Sequence, residues 1–99
     1  VIASEVANGL SLPRLPVLLA RERLDPRRLQ ASTLLGVLWD PEGAREAGFL
    51  DRLAPRGALE AGARAEAERL AALPPGTYEG SIASARGDAL AALRASLPG

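Results

Sequence analysis

The dipeptide Asp-Pro occurs twice, at Asp25-Pro26 and Asp40-Pro41, and constrains the fold more than any other feature of the chain. An N-cap aspartate accepts from the orphan amides of the first helical turn. Proline at the first helical position loses nothing, because its missing N–H would have had no partner there. A helical run follows each pair. The first passes through Leu29, Leu34 and Leu35 and stops near Gly36; the second carries Ala44 and Ala47 and stops at Gly48. Glycine takes the left-handed conformation that ends a helix. Local chemistry thus predicts two short helices with a connector, Val37-Leu38-Trp39, which is apolar and reads as extended.

The same punctuation extends in both directions. Val1 to Ser4 reads as the end of a buried strand, and Asn8-Gly9 as a turn. Pro13 and Pro16 frame a helix start, with Leu15, Leu18 and Leu19 on one face. After Gly48, Phe49 to Leu53 reads as a strand or extended segment. Pro55 to Gly57 turns into a longer helix with a stripe of Leu59, Ala63, Ala67 and Leu70. On its wet side, Glu60–Arg64 and Arg64–Glu68 are spaced as ion pairs. Leu73-Pro74-Pro75-Gly76 breaks that helix. A last helix runs from about Thr77 to Ser96, with Tyr78, Ile82, Ala89, Leu93 and Leu97 on one stripe. Gly80 and Gly87 weaken it by about 1 kcal/mol each relative to alanine, so it is expected to lean on other protein. Two or three short extended pieces do not make a stable sheet alone, which predicts that a larger structure surrounds this α-rich segment.

Composition narrows the chemistry. The 12 cations and 12 anions balance, and every cation is arginine, so no basic field exists to hold nucleic acid or an anionic membrane. The absence of cysteine and histidine excludes a disulfide framework, a thiolate metal site, a thiol nucleophile and a histidine base. Trp39, Phe49 and Tyr78 are too few and too scattered to form a base-stacking platform. No apolar run approaches a membrane span, and no phosphate-cradling loop or Ser–His–Asp set is present. The expectation is a soluble, cytoplasmic protein with no metal, nucleic-acid or membrane partner. Chemistry falls to carboxylates, hydroxyls, Tyr78, backbone groups or arginine.

Glu5 is the acid with the most unusual surroundings, between Ile2, Ala3, Val6 and Ala7. Two readings of it stand side by side. Partial desolvation would raise the carboxyl pKa and suit it to proton transfer. An ordinary strand-end carboxylate would face water or cap a nearby amide. Asp25 and Asp40 are helix caps, and Asp51 is a strand-edge charge. Arg21, Arg23, Arg27 and Arg28 form a solvated helix end or a phosphate contact. Tyr78 is a packing residue with a wet hydroxyl.

Three stretches then resemble one family in order and spacing. SEVANGLSLP is similar to a segment of the crotonase (enoyl-CoA hydratase/isomerase) superfamily in which a Glu and an aliphatic residue precede a Gly and a Pro. LLGVLWDPEGAREAGFLDRLAP resembles a later stretch of that family: a Gly, an extended segment, a short Ala-rich helix, a Gly, an aliphatic strand and a charged turn. LEAGARAEAERLAALPP resembles the helix that follows, and the final helix resembles the terminal one of the family's oligomerisation region.

The resemblance implies an α/β fold, the C-terminal part of a ββα spiral (residues 1–54) joined to a helical trimerisation region (residues 55–99), α-rich in this segment. It implies an acyl-CoA thioester substrate, an enoyl-CoA hydratase or isomerase reaction of fatty acid metabolism, and a homotrimer or dimer of trimers. No cofactor is implied beyond the coenzyme A of the substrate. Two backbone amides would stabilise an enolate-like thioester oxygen. Glu5 falls on the later of two catalytic glutamates, as general acid/base, and Leu12, Pro13 and Leu15 fall on the substrate pocket. The earlier glutamate and the oxyanion-hole loops are expected before Val1, so the segment alone is expected to be inactive. Two departures stand out. Arg14-Leu15-Pro16-Val17 replaces a Gly-rich run, and no lysine lies near the chain end for CoA phosphates. The rival reading is a non-catalytic crotonase-like module whose helices drive oligomerisation or bind another protein.

Overall fold

A computed structural model describes residues 1–97. Pro98 and Gly99, the end of the expected 55–99 region, lie outside the described residues. A 3-10 turn at Val6–Asn8 precedes five α-helices: α1 (Arg14–Arg23), α2 (Pro26–Thr33), α3 (Pro41–Ala47), α4 (Leu59–Ala71) and α5 (Thr77–Ser96). No helix among the described residues is long and apolar enough to cross a membrane. The chain divides into two units, one of Val1–Leu53 with the chain from Ala89 onward, the other Ala54–Asp88.

In the first unit both Asp-Pro devices act as their chemistry dictates. Asp25 Oδ1 accepts from the Arg27 amide at 2.9 Å, and Asp40 Oδ1 from the Gly43 amide at 2.7 Å. Helix α3 ends at Gly48, which is left-handed at φ 102°. There the chain ends of α1 and α3 come together. The Asp25 amide donates to the Ala47 carbonyl at 2.8 Å. A Cβ on Gly48 would lie 2.8 Å from the Arg23 carbonyl oxygen, so only glycine fits without movement. Leu24, Ala44 and Ala47 are buried. The small volumes of Ala44 and Ala47 match a contact made largely by backbones. Outside it, Arg23 pairs with Asp51 at 2.6 Å, and Arg28 with Asp25 at 3.3 Å and Glu46 at 3.6 Å. These pairs are solvated, which makes each worth little.

Helix α2 stops earlier than the sequence predicts, at Thr33 instead of near Gly36. Thr33 Oγ1 donates back to the Leu29 carbonyl at 2.7 Å, a local bond that competes with helix continuation. The Val37 amide then reaches the Ala31 carbonyl at 3.2 Å, folding the chain back on the helix end. Leu34 and Leu35 are consequently exposed.

The expected strands do not form among the described residues, so the α/β expectation reduces to a helix-rich segment. Val1 to Ser4 is not a buried strand: Val1 and Ile2 are 46% and 36% exposed. Val1 does exchange two backbone bonds with Trp39, its nitrogen donating to the Trp39 carbonyl at 2.6 Å and its carbonyl accepting from the Trp39 amide at 2.8 Å. This is the reciprocal pattern of an antiparallel pair, but one pair is not a ladder. Phe49 to Leu53 is not a strand either. The Phe49 amide turns back to the Ala44 carbonyl at 3.0 Å.

In the second unit, α4 is exposed along the expected stripe, Leu59 and Leu70 included. Its ion pair forms between Glu66 and Arg69, at 2.6 Å, in place of the expected Glu60–Arg64 and Arg64–Glu68 pairs. Hydrogen bonding to Glu66, aided by its charge, raises the Arg69 pKa above the ordinary value. Leu73 to Gly76 separates α4 from α5, as the double proline dictates. An open hollow of about 360 Å³ lies there, lined by Leu70, Leu73, Pro74, Pro75 and Tyr78 among others.

Candidate active site

Glu5 lies on a helical turn, not at a strand end. Its backbone is helical (φ −57°, ψ −51°), and it opens the Val6–Asn8 turn. Four backbone bonds tie the turn into a knot. The Asn8 amide reaches Ser4 and Glu5 at 3.0 and 3.1 Å, the Leu10 amide reaches Glu5 at 2.7 Å, and the Gly9 amide reaches Val6 at 3.1 Å. Gly9 closes it at φ 78°, a conformation glycine adopts without steric penalty. The Asn8-Gly9 dipeptide therefore ends the turn that carries Glu5.

Three acids are half-buried: Glu5, Asp25 and Glu66. Asp25 caps α2 and Glu66 pairs with Arg69. The Glu5 side chain makes no capping bond and has no ion-pair partner among the described residues. Leu12 and Leu15 are half-buried, and Pro13 is exposed at the N-cap of α1. They follow the Glu5 turn directly in sequence, and the turn's backbone bonds end at Leu10.

What sequence reasoning missed is the element packed against the turn. The Gly36–Trp39 connector meets the turn at its Gly36 end and the chain leading into the turn at its Trp39 end. Trp39 exchanges its backbone bonds with Val1, and a Cβ on Gly36 would lie 3.2 Å from the Ala7 nitrogen and 3.3 Å from the Ala7 Cβ. Trp39 Nε1 in turn donates to Oγ of the buried Ser32 at 3.0 Å, fixing the connector to α2. The signal available in sequence was Gly36, which reads as a helix stop and serves also as a close-approach point. Among the described residues, no group of acids could hold a metal ion.

A glycine-closed turn bearing a glutamate without an ion-pair partner, followed by short capped helices, is the arrangement to set beside known proteins. Comparison with family models and with curated proteins returns no match. Solved structures carry the assignment. Over 95% of its length the chain matches the enoyl-CoA hydratase/isomerase (crotonase) family, and the resemblance read from its motifs is borne out. A probable enoyl-CoA hydratase of Mycobacterium tuberculosis H37Rv superposes with a TM-score of 0.90 at 31% identity. The apo structure of the same mycobacterial protein describes it as an enoyl-CoA isomerase, again with a TM-score of 0.90. An enoyl-CoA hydratase/isomerase family protein from Pseudomonas syringae matches 94% of the chain at 30% identity, with a TM-score of 0.89. The chain spans about 40% of the length of these structures.

Proposed function

We propose that this segment supplies the general acid/base carboxylate, Glu5, to an acyl-CoA-processing enzyme of the enoyl-CoA hydratase or isomerase type. The observation that carries the reading is the half-buried, unpartnered Glu5 side chain on a tightly bonded turn, in a chain that matches hydratases and isomerases. In a hydratase Glu5 takes a proton from the water that adds to the acyl chain. In an isomerase it removes a proton from one carbon and returns it to another. Either step builds negative charge on the thioester oxygen, which two backbone amides outside these residues stabilise. Leu12, Pro13 and Leu15 line the acyl pocket, and the coenzyme A of the substrate is the only cofactor. The active assembly is a cytoplasmic homotrimer or dimer of trimers, and the 99 residues alone do not turn over.

The test is the full-length protein and its Glu5→Gln variant, assayed with crotonyl-CoA and longer 2-enoyl and 3-enoyl thioesters. Turnover by the parent and its loss in Glu5→Gln, with the melting midpoint retained, are the expected results. Parent-like turnover in Glu5→Gln sinks the acid/base assignment. A second reading, a non-catalytic assembly module, is favoured by the exposed leucines of α4, Leu59 and Leu70. It predicts no turnover of any thioester by a protein that still oligomerises.

A further inference from the structure

We propose that Gly36 is a positioning residue for Glu5, acting through the contact between the α2–α3 connector and the Val6–Asn8 turn. The inference rests on the acid/base reading of Glu5 given above. Gly36 adopts φ 62°, and a Cβ there would press on Ala7, 3.2 Å from its nitrogen and 3.3 Å from its Cβ, so that Ala7 would have to give by a few tenths of an ångström. Ala7 lies inside the turn that Glu5 opens. The turn is stiff, because Ser4, Glu5 and Val6 all accept its amides. A push on Ala7 is therefore passed to Glu5 as a rigid shift and is not absorbed within the turn. Nor can the connector retreat freely. Trp39 holds its other end through two backbone bonds to Val1 and the Nε1 bond to buried Ser32. Gly36 thus sets how closely the connector approaches the turn, and so where the carboxylate stands.

Other features carry less. The hollow beside Tyr78 is open and apolar, with nothing to say what occupies it. Of the clustered arginines, Arg23 at the end of α1 and Arg28 in α2 are engaged with Asp51, and with Asp25 and Glu46, respectively.

The test uses Gly36→Ala and Gly36→Asn in the full-length protein, alone and combined with Glu5→Gln. Asparagine tolerates the left-handed backbone while still carrying a Cβ, so it separates the contact from backbone strain. A displacement of a few tenths of an ångström at a proton-transfer group is expected to lower kcat about tenfold, with KM within about twofold. In the Glu5→Gln background the same substitutions should leave the residual rate unchanged, since nothing remains to misplace. Ala7→Gly, which removes the 3.3 Å contact, should restore part of the kcat lost by Gly36→Asn. Normal kcat in Gly36→Asn, with Glu5→Gln inactive, overturns the inference and leaves the acid/base reading standing. So does an equal loss with and without Glu5, which marks Gly36 as generally structural. Full turnover by Glu5→Gln, or none by the parent, removes the reading itself and this inference with it.

Discussion

Gly48→Ala is the substitution whose cost can be worked most fully from the geometry. Gly48 stands at φ 102°, where an L-residue is strained by about 1–2 kcal/mol. The new Cβ would also lie 2.8 Å from the Arg23 carbonyl oxygen and 3.1 Å from the Leu24 Cα. Both neighbours are backbone, so no side chain can swing aside. Restoring normal contact requires the end of α1 to retreat from the end of α3 by about 0.5 Å, which takes the 2.8 Å Asp25–Ala47 hydrogen bond beyond good geometry. That bond is worth about 1 kcal/mol. The expected total is therefore about 2–3 kcal/mol. Gly57→Ala is the internal control. Its φ is 92°, and nothing stands within 4 Å of its Cβ position, so only backbone strain applies. Urea denaturation of the full-length variants should place Gly48→Ala below Gly57→Ala by roughly the value of the lost hydrogen bond. Equal losses in the two would refute the close approach of Gly48 to the Arg23–Asp25 backbone.

Asp40→Ala removes the acceptor for the Gly43 amide and should lower stability by about 1 kcal/mol in the same denaturation assay. Trp39→Phe leaves the buried Ser32 hydroxyl without its indole partner and should cost about 1–3 kcal/mol; adding Ser32→Ala should return part of that loss. Gly80→Ala and Gly87→Ala in α5, where the Cβ positions are open, should each raise stability by about 0.5–1 kcal/mol. A loss at either would mean that the helix buries that face in the full-length protein.

The helices were legible because their ends are written in local chemistry. Asp25-Pro26, Asp40-Pro41 and Gly48 need only their own neighbours to act, and each acts as its residue type predicts. The double proline at Pro74-Pro75 is equally local. The end of α2 was not legible: Thr33 bonds back to the Leu29 carbonyl and the Val37 amide folds onto Ala31, and the helix ends before the glycine that looked like its terminator. The strands were misread for a different reason. Val1, Ile2 and Leu38 have the apolar character of strand residues, but a strand is defined by partners, and only one reciprocal pair is present among the described residues.

The candidate site divides along the same line. Glu5 could be singled out by its apolar neighbours, and the order of the motifs could give it a role. Its backbone state could not be read, because Ile2 to Ala7 satisfy a strand pattern as well as a turn; what decides is Gly9, which closes the turn from the far side. Still less legible was the contact between Gly36 and Ala7, residues that lie far apart in the chain. A glycine selected for close approach and one selected to end a helix are identical in sequence. Gly36 is left-handed, as a helix stop would be, yet α2 has already ended at Thr33. That mismatch is the physical reason to assign Gly36 to the Glu5 turn: α2 ends before it, and a Cβ there would press on Ala7 at 3.2–3.3 Å.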